Sequence, residues 1–260
     1  MSSRAKVSSR AKVSSRAKAV DVVFIGPTLP PHLARNCFPD ADLRGPVAVG
    51  DVLRLVDEHL AGRIAIGRIA IVDGYFERMA AVWHKEILLA LEAGIEVWGA
   101  ASMGALRAAE LAPFGMRGVG SIYERFASGE LTCDDEVAVA HLPAEYGYKP
   151  TSVALVDLRD AIEQARISAK DRARLVELAR RPFYRERSFE RLLEDSTKAG
   201  IDDDVIAEVA THFSVSTAAK ATDARLLSAA MGSTKRARPK KLDVPRTWAL
   251  AQLRASLNDG

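Results

Sequence analysis

Four short apolar runs, Val20–Ile25, Pro46–Val49, Ile64–Val72 and Ile95–Gly99, recur along the first hundred residues and leave few folds open to this chain. Stretches with helical spacing separate them: Val52–Leu60, Phe76–Leu91 and Met103–Leu111. A strand that is apolar along its whole length is buried on both faces. That is the condition of a parallel sheet carrying helices on either side. The expected fold is therefore α/β: a parallel sheet with helices on both faces, followed by a mostly helical C-terminal region. Ligands of such sheets bind beyond the carboxyl ends of the strands. Here those ends carry Gly26-Pro27-Thr28, Asp51, Asp73-Gly74 and Ser102.

Composition narrows the class further. The 260 residues are 48% hydrophobic and 27% charged, enough to build a sizeable core. The net charge of +3 conceals an uneven distribution. Residues 1–18 contribute +6 and residues 232–260 contribute +5, which leaves −8 for residues 19–231. An acidic body argues against a dedicated nucleic-acid surface. The two cysteines, Cys37 and Cys133, lack metal-site spacing, so neither a zinc site nor a disulfide framework is expected. An intracellular, cytoplasmic location follows, with no apolar run long enough for a membrane span. The glycine-rich signatures of dinucleotide and phosphate-loop sites are absent, so no cofactor and no metal are expected.

Four segments are expected along the chain. Residues 2–18 repeat Ser-Ser-Arg-Ala-Lys-Val three times, almost unchanged, with no apolar face; they read as a disordered tail, 1–18, and not as a secretion signal. Residues 19–155 read as the α/β core. Residues 112–150 within it are less regular and rich in glycine. Residues 156–231 read as helical, with amphipathic spacing and no evident chemistry. Residues 232–260 read as a basic linker and a last helix.

The richest stretch is Val97-Trp98-Gly99-Ala100-Ala101-Ser102-Met103-Gly104-Ala105, which leads into an alanine-rich helix pattern. Small residues let a strand turn sharply into a helix. Ser102 then sits at a helix N-terminus, where free N–H groups can hold an anion. The layout resembles a nucleophile elbow in the form Ala-x-Ser-x-Gly. A plain helix-capping serine is the alternative. Asp73, at the end of its strand, either orients a histidine or caps the next helix. His84 and His141 are both candidate bases, and the sequence does not choose between them. The Asp134–Glu136 run reads as a solvated cap. Arg107 and Glu110 form an i, i+3 pair, and Arg107 is a candidate anion clamp. Thr28 and Gly104 join the substrate-binding candidates. Cys37 is a minor candidate for sulfur handling.

Taken in order, several segments resemble the TfuA-like family: Phe24-Ile25-Gly26-Pro27-Thr28-Leu29, Ile71-Val72-Asp73-Gly74-Tyr75-Phe76, Val82-Trp83-His84-Lys85-Glu86-Ile87-Leu88, the serine stretch, Gly115-Met116-Arg117-Gly118-Val119-Gly120, and Asp134-Asp135-Glu136-Val137-Ala138-Val139-Ala140-His141. The resemblance implies a partner of a YcaO enzyme, which uses ATP to activate a peptide amide whose oxygen is then replaced by sulfur. It implies that the chain releases sulfide from a thiocarboxylated, ThiS-like carrier. Ser102 would attack the acyl carbon, or a histidine would activate water directly. The alternatives are a noncatalytic scaffold that docks and activates a YcaO enzyme, and a small-molecule binder of the same sheet type. No specific nucleic acid and no membrane are expected as partners.

Overall fold

The computed structural model describes residues 19–76, 79–214, 218–237 and 241–258. The expected repeat tail, 1–18, lies outside them, and so does the middle of the expected basic linker.

Five strands form one sheet in the order β2-β1-β3-β4-β5, all parallel. They are β1 (Val20–Phe24), β2 (Asp42–Arg44), β3 (Ile66–Ile71), β4 (Glu96–Ala100) and β5 (Arg117–Val119). The connecting helices are α1 (Pro31–Cys37), α2 (Asp51–Leu60), α3 (His84–Glu92) and α4 (Met103–Leu111). After β5 come α5 (Ser121–Ala127), α6 (Leu155–Gln164), α7 (Ala169–Arg180), α8 (Phe189–Lys198), α9 (Asp203–His212), α10 (Ala219–Ser233) and α11 (Trp248–Asn258).

Strand alternation sorts the core into two layers. Val22, Phe24, Ile69, Ile71 and Val97 point to one face, packed by α2, α3 and α4. Val23, Ile25, Ala70, Val72, Trp98 and Ala100 point to the other, packed by α1 and α10. Each fully buried aliphatic side chain of this kind stabilises by roughly 1.5–3 kcal/mol. The α/β expectation therefore holds, with the period-two alternation of a sheet buried on both sides.

The helical C-terminal region behaves as two parts. Helices α6 to α9 enclose their own core around Leu158, Ile162, Leu175 and Val209. Helix α10 instead returns to the sheet and lays Ala221, Ala224 and Leu227 against its second face. Alanines at the contact let its backbone come close. The 156–231 segment is thus not one uniform unit, and α10 completes the α/β layer.

Other boundaries moved for local reasons. The strand expected at Pro46–Val49 lies earlier, at Asp42–Arg44. Proline offers no N–H to a ladder, and buried Val47 makes only an isolated parallel bridge to Gly74. The helix expected from Phe76 starts only at His84, where the Glu86 carboxylate accepts the Trp83 N–H at 3.0 Å. Helix α6 ends at Ala165, whose ψ is 140°. There Arg172 donates to the carbonyls of Ile162, Glu163 and Ala165 and closes α6, and Ser168 caps α7. Helix α1, strand β5 and helix α5 went unanticipated: each is short, and β5–α5 lies in the glycine-rich 112–150 stretch.

Candidate functional site

The sheet register lines up the strand ends that matter. Phe24 pairs with Ile71, Ile71 with Gly99, and Gly99 with Gly118. Going from β1 through α1 to β2, then across to β3, reverses the strand order between β1 and β3. Such a reversal opens a crevice at the carboxyl edge. The Gly26–Thr28 loop and Asp73 fill that crevice, and Ser102 follows on the next strand.

Asp73 is 1% exposed and ties the crevice together. Its Oδ2 accepts the N–H groups of Gly26 (2.8 Å) and Thr28 (3.0 Å), and its Oδ1 accepts the Thr28 hydroxyl at 2.6 Å. These bonds hold the β1–α1 loop. No histidine contacts this carboxylate among the described residues, so the histidine-orienting role expected for Asp73 is not what its neighbours favour. Thr28 belongs to the same network.

The turn into α4 is tight. Ala101 has φ +66°, and the Ser102 N–H bonds back to the Ala100 carbonyl at 2.8 Å, a γ-turn that stores strain. The strained residue is thus Ala101, one position before the serine. Ser102 precedes α4, as expected, yet its hydroxyl caps nothing. The Oγ donates instead to the Val137 carbonyl at 3.3 Å. Gly104 is where α4 meets the sheet: its N–H reaches the Val72 carbonyl, and a Cβ there would sit 1.7 Å from the Ile71 carbonyl oxygen. Its role is close packing beneath the site.

Val137 owes its position to the acidic run before it. Asp135 pairs with buried Arg187 at 2.6 Å, and Glu136 pairs with Arg159 at 2.8 Å and Arg180 at 3.4 Å. Of the run expected as a solvated cap, Asp134 is exposed, but Glu136 is 3% exposed and acts as a buried anchor. Patterning cannot reveal this, because the three arginines arrive from α6, the end of α7 and the loop after it.

A residue that sequence reasoning missed completes the cluster. Lys220, on the first turn of α10, is 4% exposed. Its Nζ donates to the same Val137 carbonyl at 3.0 Å and lies 4.0 Å from Asp73 Oδ1. Its backbone N–H donates to Asp157 Oδ1. Burial pushes the Asp157 carboxyl up to about 6, with the Lys220 charge pulling it back down. No local signal marks this lysine in the sequence.

Two adjoining hollows flank the cluster. One, of about 670 Å³, is lined by Asp73, Tyr75, Ser102, His141, Glu145 and Arg185 among others. The second, of about 240 Å³, lies behind Thr28 and Lys220 and reaches Asp157, Ser188 and Phe213. His141 Nδ1 is 2.8 Å from the Leu142 carbonyl, which assigns that nitrogen the proton and leaves Nε2 as the basic one. Tyr75 and Tyr148 pack against its ring with centroids 5.7 and 5.8 Å away. Burial, and then Tyr148, raise the Tyr75 hydroxyl above its usual value.

His84 lies elsewhere. Its Nε2 is 2.7 Å from Glu110, and Arg107 donates to that same Glu110 oxygen at 2.6 Å. All three belong to one surface cluster, and His84 and Arg107 line a separate groove with Lys85 and Thr247. The structure therefore gathers Thr28, Asp73, Ser102 and His141 at one site and keeps His84, Arg107 and Glu110 apart from it. Neither cysteine lines the main cleft: Cys37 packs under α10 and Cys133 is exposed. Among the described residues, no three His, Cys, Asp or Glu side chains group as a metal site, and no helix is long and apolar enough to cross a membrane.

No curated protein matches this chain. Residues 73–188 match the family of TfuA-like proteins, a span that runs from Asp73 through Ser102 and His141 to the Arg187 anchor. Over that span, from its central carboxylate to the loop beyond α7, the chain is similar to TfuA-like proteins.

Proposed function

We propose that the Ser102 cleft releases sulfide from a thiocarboxylated, ThiS-like carrier and supplies it to a YcaO enzyme for peptide backbone thioamidation. The similarity of residues 73–188 to TfuA-like proteins supports an association with YcaO-linked thioamidation. The observation that carries the chemical half is the placement of Ser102. Its hydroxyl lies at the start of α4, uncommitted to helix capping, at the floor of a cleft that His141 also lines.

The chemistry runs in two steps. The Ser102 oxygen attacks the acyl carbon, and His141 Nε2 takes the hydroxyl proton. The carbon–sulfur bond then breaks, and His141 returns the proton to sulfur, which leaves as hydrosulfide. Water cleaves the resulting Ser102 ester, regenerates the hydroxyl and leaves the carrier carboxylate.

The test is sulfide release from thiocarboxylated carrier by the purified protein, alone and with a YcaO enzyme. Release by the protein alone supports the hydrolase. Tight YcaO binding with no release under either condition supports a scaffold and ends the catalytic reading.

A further inference from the structure

The two-step chemistry makes no use of the buried Lys220 charge. We propose that the Lys220 ammonium, which lines the smaller hollow adjoining the Ser102 cleft, is the anion-binding group beside Ser102 and makes the site selective for a charged thiocarboxylate over a neutral acyl compound. This rests on the sulfide-release reading above.

A buried ammonium loses several kcal/mol of hydration and needs compensation. Among the described residues, Lys220 Nζ has one hydrogen bond, to the Val137 carbonyl, and one carboxylate at 4.0 Å, Asp73, while the Asp157 carboxyl, which accepts the Lys220 backbone N–H, also feels its charge. The Asp73 carboxylate is already taken up by Gly26 and Thr28. An ammonium carries three donors, so this one keeps capacity for an anion. Its location is specific. The Val137 carbonyl accepts from both Lys220 and Ser102, which sets the cation beside the attacking hydroxyl. Arg185, the cation at the lip of the cleft, is instead bonded to the Tyr184 hydroxyl.

A thiocarboxylate brings its own negative charge to this point. A thioester of the same acyl group does not. As Ser102 attacks, the carbonyl oxygen gains further charge while the sulfur still carries its own. A cation beside the acyl carbon therefore favours the charged substrate both when it binds and when it reacts. Lys220 gains and loses no proton in this role, so the balance of the two steps is unchanged.

The decisive comparison uses one carrier in two forms, its thiocarboxylate and its S-methyl thioester. kcat/KM is measured for the wild type, Lys220→Met and Lys220→Arg. Lys220→Met should lose about a hundredfold more on the thiocarboxylate than on the thioester, and Lys220→Arg should recover part of that preference. Equal losses on both substrates would reduce Lys220 to a structural counterion of Asp73 and overturn the proposal. Should Lys220→Met fail to fold, the wild type is inhibited with thioacetate and with neutral thioacetamide. Thioacetate should bind at least about tenfold tighter, and equal inhibition overturns the proposal. A wild type that hydrolyses the thioester through Ser102 but shows no preference for the thiocarboxylate ends the Lys220 inference alone. One that hydrolyses neither form ends the function with it.

Discussion

The two clusters built around His141 and His84 are supported in different ways. At Ser102 and His141 the groups are set by backbone: strand ends in register, a γ-turn at Ala101, and a carbonyl fixed by buried ion pairs. At His84 the groups are set by one another. His84 and Glu110 are 47% and 37% exposed in their side chains, and water competes for both. A pair as exposed as this contributes about 0–1 kcal/mol. In the sequence both histidines are candidate bases, and nothing there chooses between them. What separates them is whether the surrounding fold has removed the freedom of each group before a ligand arrives, and pre-set geometry is where most of an enzyme's rate advantage resides.

The sharpest way to break this comparison is Ser102→Ala against Glu110→Ala in the sulfide-release assay. The first should cut the rate by about a thousandfold or more, while Tm barely moves, because the hydroxyl caps no helix. The second should change the rate less than about twofold. A near-normal Ser102→Ala rate would leave water activated by His141 as the surviving route. Next in size is His141→Ala, expected to lose about a hundredfold. His84→Ala should lose nothing measurable, and the reverse result would move the chemistry to the surface cluster.

Gly104→Ala tests the backbone foundation itself. Its Cβ would strike the Ile71 carbonyl, so α4 must lift from the sheet. A loss of about 3 kcal/mol in urea titration is expected, with activity falling alongside. The smallest effect concerns Asp157. Its carboxyl is raised in the folded state to about 6 from an ordinary 3.8. A raised acid stabilises the fold while protonated, below about pH 4, and that contribution is lost as pH climbs through about 6. Asp157→Asn should therefore raise Tm by about 2–4 °C at pH 8 and by nothing near pH 4. A gain of equal size at both pH values would mean that its charge is not what matters.

Much of the frame was legible in the residues alone. The run Ile69-Ala70-Ile71-Val72 followed by Asp73, and the run ending at Gly99 before Ser102, identified both strand termini that reach the cleft. Helix α4 has the boundaries its spacing implies, Met103–Leu111. Pro46–Val49 misled because burial of Val47 under a loop and burial within a strand leave the same apolar mark. The stretch 112–150 hid β5 and α5 because three- and seven-residue elements are too short to establish a period.

By itself, the sequence determined the class of sheet, the strand ends that form its carboxyl edge, and a serine at one of them. These follow from local rules, since apolar periodicity and small residues at a turn act between near neighbours. Only the tertiary structure decided which histidine shares the cleft, what the acidic run anchors, and that a lysine from α10 stands beside the serine. Amphipathic spacing says that a helix buries one face, but not against what. Helix α10 buries its face on the sheet and not in the bundle that precedes it, and that choice carries Lys220 to Asp73 and Val137.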